Sequence, residues 1–324
     1  GTKIDVHFAV LPALARNKRP DPVFVFAGGP GQSAIALAGP VAAQLARFAN
    51  RRDLVFIDQR GTGRSAPLSC DEDANARLPL AEVIDPAQQL KRLAACRTRL
   101  GQLPHGDLRH YTTTHAMADA EAVRVALGVT QINLVGASYG SRAVLEYLRL
   151  YPAAVRRAVI DGAAPPDMVL PQSFSTDNQV ALDALFAACA TDKACNGAHP
   201  QLAARWRALL KSLPREVTVS HPVLGREERL TLNAEALLGL VRGPLYVPAI
   251  ASGLPQAISD AADGRFAPLL GLSSALQSGG GLQLFTGMHF SVVCAEDEPR
   301  REASADKPGV DFGEAFGQLY AQAC

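Results

Sequence analysis

Apolar and polar positions along the first 165 residues switch between two periods. Ile4, Val6, Phe8 and Val10 alternate with polar neighbours, which predicts a strand from about Lys3. "PVFVFAG" (Pro22–Gly28), "DLVFID" (Asp53–Asp58), "INLVG" (Ile132–Gly136) and "RRAVIDG" (Arg156–Gly162) are short apolar runs of the buried-strand type. Helical spacing fills the gaps. Asp85 followed by Pro86 and Gln88 marks a helix start, Thr112–Leu127 is a second helix closed by Gly128, and Ser138–Tyr151 a third, stopped at Pro152. Strands alternating with helices predict an α/β fold with a mostly parallel sheet.

Past Pro165-Pro166 the pattern turns mainly helical. Helices are expected over about Ser173–Ala190, Pro200–Leu213, Ala234–Arg242, Val247–Ala262 and Phe312–Ala323. Two alternating runs around Gly225 predict a β-hairpin within Glu216–Leu232, and "SGGG" (Ser278–Gly281) reads as a joint. The expected organisation is a core at 1–165 and a mainly helical cap at 166–324.

Composition narrows the function classes. The 324 residues are 48% hydrophobic with a net charge of +1 and no block of like charge. That offers no nucleic-acid footprint. No apolar run reaches the roughly 18 residues of a membrane span. The six cysteines form no CxxC pair and no zinc spacing. They are either six buried thiols or three disulfides; proximity favours Cys70–Cys96, Cys189–Cys195 and Cys294–Cys324. The disulfide reading implies an oxidising compartment, periplasmic or extracellular.

Three stretches carry chemistry. Gly136-Ala137-Ser138-Tyr139-Gly140 fits G-x-S-x-G after a strand and before a helix. This context is that of a nucleophile elbow, whose strained corner lifts a serine Oγ above the sheet. The bland alternative is a Gly-rich turn with serine as N-cap. "AGGPGQS" (Ala27–Ser33) follows the earlier strand and exposes backbone N–H groups suited to half of an oxyanion hole; it lacks the lysine of a phosphate loop. "DQRGTGRSAP" (Asp58–Pro67) offers Asp58, Arg60 and Arg64 for a charge-paired structural loop.

In this order, "GGPGQS", "DQRGTGRS" and "GASYGS" resemble the α/β-hydrolase branch of proline iminopeptidases and tripeptidyl aminopeptidases. "GMHFSVVCAEDEP" (Gly287–Pro299) is similar to a segment of its exported, tripeptidyl-aminopeptidase-like members. The resemblance covers about Lys3 to Cys324. Many iminopeptidases carry His where Ala27 stands here. The resemblance implies a Ser-His-Asp exopeptidase that cleaves N-terminal residues from peptides, of prolyl or tripeptidyl type, through an acyl-enzyme on Ser138. It implies Gly29 and Tyr139 N–H groups as the oxyanion hole. It also implies carboxylates for a free substrate amino terminus, for which Glu296 and Asp297, with Glu298 beside them, are candidates. A solvated acidic turn before Pro299 is the alternative. No metal or organic cofactor is implied.

The elbow needs partners, in the chain order Ser, acid, His. Only His199, His221 and His289 follow Ser138. None follows a buried strand in a Gly-rich loop, and His289 is the weak alternative base. Asp161, at a strand end, is the weak alternative acid. The expectation is truncation at both ends: a leader lost, and the core's C-terminal strand-helix-strand, carrying acid and base, absent. The missing segment would be a partner, and the chain alone hydrolytically weak. A carboxylesterase of the same fold and a non-catalytic hydrolase-fold binding protein are the competing readings.

Overall fold

The computed structural model describes residues 3–275 and 283–324. The expected joint at Ser278–Gly281 lies outside them.

Five strands form the central sheet: β1 (Phe8–Leu11), β2 (Val23–Phe26), β3 (Leu54–Ile57), β4 (Ile132–Ala137) and β5 (Val155–Asp161). Their order is β1-β3-β2-β4-β5, with β1 antiparallel to β3 and every other pair parallel. Every residue of β2 and β3 is buried. That is why both read as unbroken apolar runs: a central parallel strand has an apolar layer on each face. β5 departs from this expectation. It is an edge strand, and Val159 and Ile160 are 50% and 43% exposed. Among the described residues nothing pairs with its outer edge.

The predicted N-cap residues act as read. The Asp85 side chain accepts from Ala87 N to cap Pro86–Gly101, and Thr112 accepts from His115 N to cap Thr113–Ala126. Gly128 takes a positive φ of 68° just past the end of the second helix. Beneath the sheet, Met117, Ala120 and Val123 of that helix meet Phe24, Phe26, Ile132 and Leu134, together with Val144 and Tyr147 of Tyr139–Leu150.

The later half builds its own core. Helices Leu170–Thr191, Leu202–Lys211, Ala234–Leu245, Leu254–Ala262 and Ala267–Ala275 enclose Trp206, Leu182, Leu237, Val241, Ile258 and Leu269. One face of the β6–β7 hairpin (Arg215–Ser220 and Glu227–Leu232) seals it. The helix expected over Val247–Ala262 is two, Pro248–Ala251 and Leu254–Ala262. Its break falls at Ser252-Gly253, where Pro255 favours a fresh first turn.

Residues 286–292 do not stay with this second core. Helix Thr286–Val292 returns to the sheet half, where Met288 and Val292 pack with Leu68, Leu100, Tyr111 and Tyr139. Gly287 is required there, since a Cβ would lie 2.7 Å from the Leu68 carbonyl oxygen. Three disulfides, Cys70–Cys96, Cys189–Cys195 and Cys294–Cys324, join the pairs that proximity favoured.

Candidate active site

Ser138 occupies the corner between β4 and helix Tyr139–Leu150, with φ 55° and ψ −128°. Few non-glycine residues tolerate that region, and such strain persists only where the surroundings impose it. Here they do. Ser138 N donates to the Asp161 carbonyl at 2.9 Å. Its own carbonyl accepts from Ser141 Oγ at 2.6 Å, and that hydroxyl accepts from Ala164 N at 2.8 Å. Both flanking glycines are enforced by backbone contact. A Cβ on Gly136 would fall 2.1 Å from the Gly140 carbonyl oxygen, and one on Gly140 would fall 2.3 Å from that of Phe26. The strand and helix therefore approach more closely than any side chain allows, and Ser138 is left exposed at the turn.

The Gly28–Gly31 loop faces it. A Cβ on Gly28 would touch Ser138 Cβ at 3.3 Å. Gly29 and Gly31 hold φ of 111° and 108°, which glycine adopts freely. Asp58, buried at the end of β3, braces this loop by accepting from Ser33 Oγ at 2.6 Å and Ile35 N at 3.1 Å. Its other oxygen accepts from Arg64 N at 3.3 Å. The charge pairing expected among Asp58, Arg60 and Arg64 is corrected. Arg60 instead forms a two-pronged pair with Asp119, at 2.6 and 2.7 Å, because its planar fork matches a carboxylate on the neighbouring helix.

The acidic stretch also requires correction. Glu296 Oε1 accepts from Thr113 N at 2.6 Å and Oε2 accepts from Thr113 Oγ1 at 2.8 Å. The Thr113 hydroxyl has one proton and gives it to Glu296, so the Tyr139 hydroxyl donates to Thr113 Oγ1, 2.7 Å away. Asp297 is wholly buried and pairs with Arg142 at 2.8 Å and Arg300 at 3.1 Å. Burial raises the carboxyl pKa of both Glu296 and Asp297, with Arg142 opposing the shift. Asp297 thus faces no solvent from which a substrate could reach it. Asp297 grips Arg142 directly, while Glu296 reaches Tyr139, one turn earlier on the elbow helix, only through the Thr113 hydroxyl. Glu298 pairs with Arg301. Sequence reasoning missed Arg142, although a lone cation among Tyr139, Ala143, Val144 and Tyr147 signals a buried carboxylate partner.

No histidine hydrogen-bonds to Ser138 among the described residues. His199 meets Ser259 Oγ at 3.1 Å. His221 Nδ1 accepts from Val223 N and Leu224 N in the hairpin turn, while Nε2 donates to the Leu78 carbonyl. His289 is buried between the Pro30 carbonyl and the Tyr320 hydroxyl, so neither ring nitrogen is free to serve as the weak alternative base. Asp161 meets Ser138 through its backbone carbonyl, and its exposed carboxylate bonds to no histidine among the described residues.

Desolvation pushes the His289 imidazole down to about 4 from its ordinary 6.5, with the Arg242 cation adding to the shift. The unfolded chain therefore takes up a proton as pH falls through 6.5, while the folded one stays neutral until about pH 4. Stability from this residue is complete above pH 6.5 and declines across that window, by about 3 kcal/mol in total. Denaturant unfolding should show the wild-type stability, relative to His289→Asn, falling by that order between pH 7 and pH 4. A pH-independent difference would contradict the buried neutral imidazole.

Residues 21–210, which contain the elbow, both loops and most of the sheet, match the model of the alpha/beta hydrolase fold family. The chain belongs to that family. The chain is similar to the serine protease Hip1 of Mycobacterium tuberculosis, 29% identical over 265 residues, which are 76% of the chain and 50% of Hip1. It is also similar to the tripeptidyl aminopeptidase of Streptomyces coelicolor, 32% identical over 164 residues, covering 47% and 30% of the two chains. A proline iminopeptidase of Xylella fastidiosa is 28% identical over 148 residues, covering 45% and 33%. The chain spans half the length of Hip1 and a smaller share of the other two.

Proposed function

We propose that this hydrolase is a serine exopeptidase that acts on peptides with a free amino terminus. Ser138 is the nucleophile, and the Gly29 and Tyr139 N–H groups receive the oxyanion of the tetrahedral intermediate. The observation that carries this reading is the strained, exposed Ser138 held against the Gly28–Gly31 loop. Binding alone has no need of such a corner. The names of the relatives support peptide bonds as the substrate class, and three disulfides support an oxidising compartment. Among the described residues no helix is long and apolar enough to cross a membrane.

Among the described residues no histidine is placed to act as general base for Ser138. Every histidine after Ser138 is engaged elsewhere, and among the described residues the outer edge of β5, beside the elbow, is unpaired. The isolated 324-residue chain is therefore expected to hydrolyse peptides weakly or not at all.

Matched substrates test the reading on the native protein: a free-amine peptide anilide, its N-blocked twin and the corresponding ester. Cleavage of the free-amine peptide, little of the blocked one, and none by Ser138→Ala is expected. Equal cleavage of blocked and free peptides would sink the exopeptidase reading. Ester turnover alone would favour the carboxylesterase.

A further inference from the structure

The buried His289 has an unusual pair of neighbours. Its Nδ1 lies 3.1 Å from the Pro30 carbonyl oxygen and its Nε2 lies 2.7 Å from the Tyr320 hydroxyl. A carbonyl only accepts, so Nδ1 bears the ring proton and Nε2 accepts from the tyrosine. Desolvation keeps the ring neutral. One residue on, the Gly31 carbonyl accepts from Phe285 N at 2.9 Å. A Cβ on Gly31 would lie 2.9 Å from the Phe285 carbonyl oxygen, so the two backbones touch. The loop opposite Ser138 is thus held at Pro30 and Gly31 by the first turns of helix Thr286–Val292.

Behind His289 stands the end of the chain. Tyr320 stacks on Phe290 with ring centroids 4.9 Å apart and packs against Phe316 at 5.1 Å. Its helix, Ala315–Ala323, is tied back by Cys294–Cys324, so the tyrosine partner of the imidazole is anchored to the segment that carries His289. The Arg242 guanidinium covers the outer side, 4.3 Å above the Phe316 ring.

We propose that His289 is a positioning residue for the oxyanion loop, transmitting the disulfide-tethered Tyr320 helix to Pro30 and so fixing Gly28–Gly31 against Ser138. The proposal rests on reading that loop as the oxyanion site of a Ser138 nucleophile. It differs from a base role, which would need a ring nitrogen directed at Ser138. It also differs from mere packing, which a ring of similar size would satisfy.

Three variants separate these roles. His289→Phe keeps the ring and loses both hydrogen bonds. His289→Asn restores a donor near Nδ1. Tyr320→Phe removes the hydroxyl that fixes the imidazole. Amide hydrogen exchange over residues 28–33 of the 324-residue chain is expected to quicken roughly tenfold in His289→Phe, less in Tyr320→Phe, and to return near wild type in His289→Asn. In the native protein, phosphonylation of Ser138 by a fluorophosphonate should slow in the same order. Exchange unchanged in His289→Phe, or no recovery in His289→Asn, would overturn the clamp. A wild-type protein whose Ser138 resists phosphonylation would contradict the nucleophile reading instead, while exchange still decides the clamp.

Discussion

Arg142→Ala is expected to destabilise the protein by about 3–5 kcal/mol, more than any other removal of a single charge described above. Arg142 is a three-way junction. It pairs with the fully buried Asp297 at 2.8 Å, donates to the Met168 carbonyl at 2.8 Å, and reaches that of Pro165 at 3.4 Å. The elbow helix, the crossing at 165–168 and the acidic turn all meet on one guanidinium. Its removal leaves Arg300, partly exposed and 3.1 Å away, as the remaining cation on Asp297. A buried carboxylate so placed takes up a proton more readily than in the wild type. The deficit of the variant should therefore shrink as pH is lowered. Replacing both partners, as in Arg142→Met with Asp297→Leu, should restore much of the loss, because no charge is then stranded. Denaturant unfolding at pH 7 and pH 5 checks all three statements. A loss under about 1 kcal/mol at pH 7 would mean that the pair is hydrated in solution.

Ser138→Ala should abolish turnover of the native protein, by a factor on the order of 10^4 or more, since nucleophile and base act as a unit. Stability should move in a way ordinary active-site substitutions do not. Alanine at φ 55° is as strained as serine, so Ser138→Ala leaves stability nearly unchanged. Glycine adopts that backbone without strain, so Ser138→Gly should gain about 1 kcal/mol while remaining inactive. Thermal unfolding compared with peptide turnover reads both quantities. A destabilised Ser138→Gly would show that the corner is not strained in solution.

Much of this architecture was legible in the sequence because its signals are local. The runs at Val23–Phe26 and Leu54–Ile57 are buried on both faces, so apolar content alone disclosed them. Asp85, Thr112 and Gly128 satisfy helix ends within a few residues, and the elbow follows from Gly136 and Gly140, which permit a close approach of strand and helix. What escaped depends on long-range contact. Glu296 and Asp297 looked like solvated or ligand-facing acids, since apart from Arg300, three residues after Asp297, their side-chain partners lie far away in the chain. Their partners, Thr113 and Arg142, lie more than 150 residues away. Helix Thr286–Val292 escaped for the same reason. Its glycine and short length weaken any helical pattern, and its order comes from packing on Leu68, Leu100 and Tyr139. His289 drew notice as the wrong kind of residue. A histidine near an acidic stretch suggests a base, whereas burial beside Pro30 makes it a neutral prop.

The most direct measurement is the mass of the intermediate. The native protein is mixed with an activated ester of a free-amine peptide, quenched with acid, digested and examined by mass spectrometry. The account predicts one acyl adduct on the fragment containing Ser138, absent in Ser138→Ala and absent when the peptide amine is blocked. An adduct on another residue, or hydrolysis that persists in Ser138→Ala, would contradict it.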